Sequence, residues 1–193
     1  MSHAPLTPET MNPDVPVVLV ELLPDHPAFG ALDTARFAPA HAGDAGIDLV
    51  ACESVDLAPG ERAAVSAGIR IALPDGIEGQ VRPRSGRSLR EGLTIVNAPG
   101  TIDPGYRGPV RVLLLNAAPA LELADLEGDT RTLVERLRAG LIRRTIRVER
   151  GERIAQLVFA RFERPAIRFV AEVPRETERG EDGFGSTGTG TGH

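Results

Sequence analysis

The sequence contains no lysine: all 22 of its basic residues are arginine. Any phosphate contact must therefore use guanidinium groups or backbone N–H, because no ammonium side chain is present. Cysteine is almost absent too. Cys52 stands alone, which excludes an internal disulfide framework and fits a reducing cytoplasm. No apolar run approaches the length of a membrane-spanning helix, and the opening MSHAPLTPETMNPDVP lacks the basic-then-apolar order of an export signal. Excess positive charge is missing as well. At a net −5 the chain makes no electrostatic case for nucleic acid. Membrane and nucleic-acid partners are accordingly not expected.

What remains is ordinary soluble-protein material. The 193 residues carry 41% hydrophobic and 25% charged side chains, enough for one domain with a real core. Residues 1–14 read as a disordered lead-in. From Val15 onward the chain shows short β-type runs broken by Gly and Pro. These begin at Val15, Ile47, Ala63 and Ile77, then at Pro109, Thr145, Ile154 and Ile167. Turn signals such as LAPGE, LPDG and DPGYRG separate them. Regular short strands with this punctuation predict an all-β sandwich or jelly roll.

One segment departs from the pattern. DTRTLVERLRAG, Asp129 to Gly140, has an aspartate at the N-cap position and Leu133, Leu137 and Leu141 at four-residue spacing. Gly140 stands at the expected stop. The spacing predicts a short amphipathic helix inside an insert over 117–144, either packing on its own domain or meeting a partner.

Four stretches offer chemistry. In PRSGRSLREGL, Arg84, Ser85 and Gly86 follow a strand. Backbone N–H groups and a guanidinium could converge there on phosphate oxygens, or the three could form an ordinary turn. In GLTIVNAPGTIDPGYRG, two extended arms flank an APG turn, an arrangement that can expose edge donors and acceptors to a base. Asn97 supplies both a donor and an acceptor there. Asp103 is a lone carboxylate after apolar Ile102, in a segment expected to be partly buried, where a base could be held. Tyr106, the only tyrosine, could equally serve core or turn packing. Asp48 sits in an apolar alternation and should face inward or into a cleft, whereas Asp44 reads as a turn residue. Gln156 lies mid-strand among apolar neighbours and needs a hydrogen-bond partner, structural or ligand.

The end of the chain poses its own question. RGEDGFGSTGTGTGH, residues 179–193, has a flexible linker's composition, yet carries Arg179 and an aromatic, Phe184, between two glycines. Such a segment should order on a ligand offering a flat face and negative charge.

Taken in order, AGDAGIDL, PRSG, NAPGTIDPGYRG, GERIAQLV and RGEDGFGSTG resemble the five motifs of the trimeric dUTP nucleotidohydrolases (dUTPases). Each is modest alone, but five in sequence form a specific signal covering most of the chain. The resemblance implies a jelly-roll homotrimer over 15–175, with an arm, 176–193, closing over active sites at subunit interfaces. It implies that Asp103 is the general base and that Asn97, Thr101 and Ile102 meet the nucleoside. Tyr106 would exclude a 2′-hydroxyl, and Arg111 would touch substrate. Arg84, Ser85, Gly86 and Gln156 would serve the phosphate end. Arg179, Phe184, Gly185, Ser186 and Thr187 would form the closing arm, with Phe184 over uracil and Arg179 on the γ-phosphate. Asp48 would hold a water on Mg2+, itself chelated mainly by the triphosphate.

The implied reaction is water attack on the α-phosphorus of dUTP. It gives dUMP and pyrophosphate, keeping uracil out of DNA and supplying dUMP for dTTP synthesis. Two departures stand out: Arg87 where the family usually has a small or apolar residue, and Pro109 where an acid is common. The nearest rival is dCTP deaminase, which shares the fold. That reaction relies on a glutamate in the following strand, where this chain has Leu113. A non-enzymatic nucleotide-binding jelly roll is the other alternative.

Overall fold

The computed structural model describes residues 15–30, 41, 43–119, 129–174 and 176–177. Eleven strands and two helices are assigned in this order: β1 Leu19–Leu22, β2 Gly46–Val50, β3 Val55–Leu57, β4 Arg62–Ser66, β5 Ile69–Ala72 and β6 Ile77–Pro83. Then come α1 Ser85–Glu91, β7 Leu93–Ile95, β8 Gly100–Ile102, β9 Arg111–Asn116, α2 Thr130–Arg144, β10 Ile146–Val148 and β11 Arg153–Arg161. Two compact units result, 1–162 and 163–193, and every described strand and helix belongs to the first.

The strands follow from two-residue alternation. In β6, Ile77, Gly79 and Val81 point inward, while Glu78, Gln80 and Arg82 lie on the outer face. In β9, Val112, Leu114 and Asn116 are buried, and Arg111 and Leu113 are not. The inward sets of the two larger sheets build one core with Leu49, Leu57, Ile69, Leu93 and Ile154. One sheet runs β2-β11-β6-β8 and the other β4-β9-β7, and two-stranded ribbons β1-β5 and β10-β3 complete the architecture. This is an all-β jelly-roll sandwich, as its strand pattern predicts. No described helix is long and apolar enough to cross a membrane.

The insert is anchored by one polar residue inside the core. Asn116 is 0% exposed. Its Nδ2 donates to Leu57 O at 2.9 Å and Arg144 O at 2.8 Å, and its Oδ1 accepts from Ala118 N–H at 3.0 Å. Both ends of the excursion are thereby tied to β3. Asp129 caps α2, its Oδ1 accepting from Thr132 N–H at 3.0 Å. The helix passes through the expected stop at Gly140 and runs to Arg144, where the Thr145 hydroxyl donates to Leu141 O. A glycine lowers helix propensity without ending a helix, and Leu141 and Ile142 continue the run.

Other expectations also need correction. The run from Ala63 is two strands, split at Gly68 with φ +64, where a Cβ would meet Cys52 Sγ at 2.5 Å. The two arms around APG are strands, but they do not pair with each other. β7 pairs with β9 and β8 with β6, so the arms belong to different sheets. Arg84-Ser85-Gly86 opens a helix rather than a simple turn. Gly92, left-handed at φ 76, ends that helix. No strand forms over residues 167–173.

Candidate active site

β8 and β7 are end strands of their sheets, joined by a turn containing a cis Ala98–Pro99 peptide. Beside these two edges lies a cavity of about 240 Å3. Val81, Ile95, Ile102, Val110 and Leu113 give it an apolar lining, and Asn97, Thr101, Asp103, Tyr106 and Arg111 supply polar groups. β8 pairs with β6 on one side only among the described strands, so its other edge keeps backbone donors and acceptors available. Gly100 lets this edge lie close to Asn97, since a Cβ there would stand 3.2 Å from Asn97 Nδ2.

The turn after β8 carries Asp103 and Tyr106. Ile102 and Pro104 are buried, so the segment is partly buried as expected, while Asp103 between them is exposed. Its carboxylate makes no hydrogen bond or ion pair with another described residue, and is open to solvent and ligand. Tyr106 N–H donates to Asp103 O at 3.0 Å, closing a tight turn. The Tyr106 hydroxyl donates to Pro109 O at 3.0 Å, yet 45% of the residue stays exposed. Turn packing and pocket lining are thus both true of it. The ring lies against Gly108, where a Cβ would stand 2.4 Å from its hydroxyl oxygen. Arg111 donates to Ala64 O at 3.2 Å and lies 3.8 Å from Glu53.

A second cluster forms elsewhere. Asp48 on β2 faces Gln156 on β11 in register. The side chain of Asp48 is 19% exposed; Arg153 donates to Oδ2 at 3.1 Å, and Arg84 Nε lies 3.3 Å from Oδ1. That second approach lacks hydrogen-bond alignment, which leaves Oδ1 buried with a cation beside it but no donor. Gln156 is half-buried, packs against Gly46 and makes no amide hydrogen bond to another described residue. The structural partner expected for it is therefore not found among them. Arg84 occupies the N-cap of α1 without a side-chain cap bond, so no side chain caps the first turn at Ser85 and Gly86. Gly86 also makes room for Arg90, whose Nη1 is 3.1 Å from the position of a Cβ.

Arg87, a departure from the family pattern, donates to Glu91 at 2.7 Å and to Glu152 at 3.1 Å, and so braces α1. Asp44 is a turn residue, its carboxylate accepting from His41 N–H at 3.0 Å.

Six of the expected site residues thus meet in one cavity: Asn97, Thr101, Ile102, Asp103, Tyr106 and Arg111. Arg84 instead lines a groove with Arg87, Arg90, Arg147 and Arg153 that shares no residue with the cavity. Arg179, Phe184, Gly185, Ser186 and Thr187 lie outside the described residues. Sequence reasoning missed Arg153 and the apolar lining. Alternation could have placed Val81, Ile95 and Leu113, because each sits on a short strand beside a motif.

Fold and site together define a β jelly roll with an edge-strand pocket and a separate arginine-rich cluster. The dUTPase family model matches residues 33–121 and 140–188. The chain belongs to the dUTPase family. The unmatched stretch between those two blocks falls within the insert that carries α2. A deoxyuridine 5'-triphosphate nucleotidohydrolase of Thermobifida fusca is 50% identical over 149 residues, covering 77% of this chain and 70% of the relative. A dUTPase of Staphylococcus bacteriophage 80alpha with dUPNHPP superposes with TM-score 0.68 at 28% identity, over 89% of this chain and 98% of that one. A mutant dUTPase from phage phi11 of S. aureus, whose structure reveals the coordination of a structural Mg(II) ion, gives TM-score 0.60 at 26% identity. That match covers 81% of this chain and 97% of the phage protein.

Proposed function

We propose that the protein hydrolyses dUTP to dUMP and pyrophosphate, with Asp103 as general base. The observation that carries this reading is the exposed Asp103 carboxylate, engaged by no described residue, on a cavity that also holds Asn97, Thr101, Tyr106 and Arg111. Uracil lies against the β8 edge, read by backbone groups and Asn97. Tyr106 packs on the deoxyribose and leaves no room for a 2′-hydroxyl. Asp103 takes a proton from water as its oxygen attacks the α-phosphorus in line, and pyrophosphate departs. Arg84, the first-turn amides at Ser85 and Gly86, and Gln156 hold the phosphate end. Arg179, Phe184, Gly185, Ser186 and Thr187 close the site from the C-terminal arm and exclude water.

Mg2+ is the metal of this reading. The buried, undonated Asp48 Oδ1 fits a water on that ion, and among the described residues no group of three or more His, Cys, Asp or Glu could hold a metal alone. When bound, Mg2+ would spread the negative charge of the phosphate oxygens.

A homotrimer with shared sites is part of the same reading. The base-side cavity and the Asp48–Arg84 cluster share no residue within one chain, which suits a site completed by a neighbour. Ile167 and Phe169 are 83% and 96% exposed, apolar surface that a second copy would cover. A cytoplasmic role in limiting uracil in DNA and supplying dUMP for dTTP synthesis follows from the reaction.

Deamination of dCTP is disfavoured because, among the described residues, Asp103 is the only carboxylate lining the cavity, and Leu113 occupies the strand position that reaction needs. Purified protein with Mg2+ should release pyrophosphate from dUTP and not from dCTP, dTTP or UTP. Ammonia from dCTP, or no pyrophosphate from dUTP, would overturn the proposal.

A further inference from the structure

The turn that carries Asp103 and Tyr106 has an unusual electrostatic feature. Arg107 Nη1 donates to two backbone carbonyls at once, Pro104 O at 2.5 Å and Tyr106 O at 2.8 Å. One nitrogen within reach of both oxygens means that the two carbonyl dipoles converge on the same point. The guanidinium therefore holds the two carbonyls of the turn to one cationic donor. A charged donor is also the stronger partner for a carbonyl, roughly twice a neutral one. Arg107 forms no ion pair with a described carboxylate, and its guanidinium serves the turn itself.

Its location decides what kind of role follows. Arg107 is absent from the lining of the 240 Å3 cavity. It lines a different one, of about 260 Å3, with Leu19, Val20 and Ile71 beside the β1–β5 ribbon. The side chain thus grips the turn from outside, while Asp103 and Tyr106 face the cavity from within. Two other bonds fix this turn, Tyr106 N–H to Asp103 O and the Tyr106 hydroxyl to Pro109 O. Neither restrains the Pro104 carbonyl.

We propose that Arg107 is a positioning residue for the reaction, setting at once the placement of the Asp103 base and of the Tyr106 ring that reads the sugar. The inference rests on the dUTP-hydrolysis reading and adds a specificity determinant outside the substrate pocket. A displacement of about 1 Å at a reacting group can cost on the order of 100-fold in rate.

The test uses the full-length protein with Mg2+, comparing wild type, Arg107→Met and Arg107→Lys on dUTP and UTP, with thermal melting alongside. Arg107→Met should lower kcat on dUTP by about 10- to 100-fold and narrow the dUTP/UTP ratio of kcat/KM, at an unchanged melting temperature. Arg107→Lys, which keeps a cation able to meet the carbonyls, should recover part of both. Wild-type kcat and ratio in Arg107→Met would overturn the inference. So would equal losses on both nucleotides with a lowered melting temperature, since that marks a merely structural brace. A wild-type protein inert towards dUTP is a different result, defeating the hydrolase reading and this inference with it.

Discussion

Replacing Gly108 with alanine adds one methyl group at a position whose backbone any residue can adopt, because Gly108 does not have a left-handed φ. The effect must therefore come from what the methyl meets. Its carbon would lie 2.4 Å from the Tyr106 hydroxyl oxygen, 2.6 Å from Cζ and 3.0 Å from Cε2. Ordinary contact begins at 3.4 Å, so the ring must retreat by about 1 Å. That retreat breaks the bond from the hydroxyl to Pro109 O, a net loss of about 1 kcal/mol that barely affects the fold of an exposed turn. Activity should suffer far more. A ring displaced by about 1 Å against the deoxyribose should lower kcat/KM on dUTP by roughly 10- to 100-fold and admit UTP relatively better. Steady-state pyrophosphate release from both nucleotides measures this directly. Wild-type kinetics and selectivity in Gly108→Ala would refute the reasoning.

Two further outcomes follow from buried polar groups. Asn116→Leu keeps the approximate volume but removes three hydrogen bonds and strands Leu57 O, Arg144 O and Ala118 N–H. Urea denaturation should show a loss of roughly 3–5 kcal/mol, and a loss under about 1 kcal/mol would mean that the insert is held by other contacts. Burial, followed by the negative charge of Asp25, pushes the Cys52 thiol from 9.0 up to about 11. The folded state therefore holds this proton more tightly than the unfolded chain. The resulting stability is complete below pH 9 and is lost as pH rises towards 11. Cys52→Ala should flatten that slope in pH-dependent unfolding; an unchanged slope would assign it to other groups.

Period-two alternation made β6 and β9 legible, because each buries one face and the side chains record which. Partner choice was not legible. β7 and β8 are three-residue strands joined by a turn, and local sequence suggests a hairpin, whereas their pairing is set by β9 and β6 across the sandwich. Residues 167–173 alternate well enough to predict a strand, but alternation supplies no ladder partner, and no strand forms there. α1 was hidden by its length. Its seven residues bury nothing, and only Gly92 and the Arg87–Glu91 spacing signal it. The cavity beside β7 and β8 was readable because its polar residues, Asn97 to Arg111, are close in sequence. Neither the placement of the Asp48–Arg84 cluster away from it nor the exposure of Asp103 could be read from residue order.

The central claim is that the Asp103 carboxylate removes the proton from attacking water. Asp103→Asn keeps the shape and polarity of the side chain while abolishing its basicity. With Mg2+ present, the variant should bind a non-hydrolysable dUTP analogue about as well as wild type, yet lose at least roughly 10²- to 10⁴-fold in kcat. A variant that binds the analogue and turns over dUTP at a rate near wild type would contradict the account.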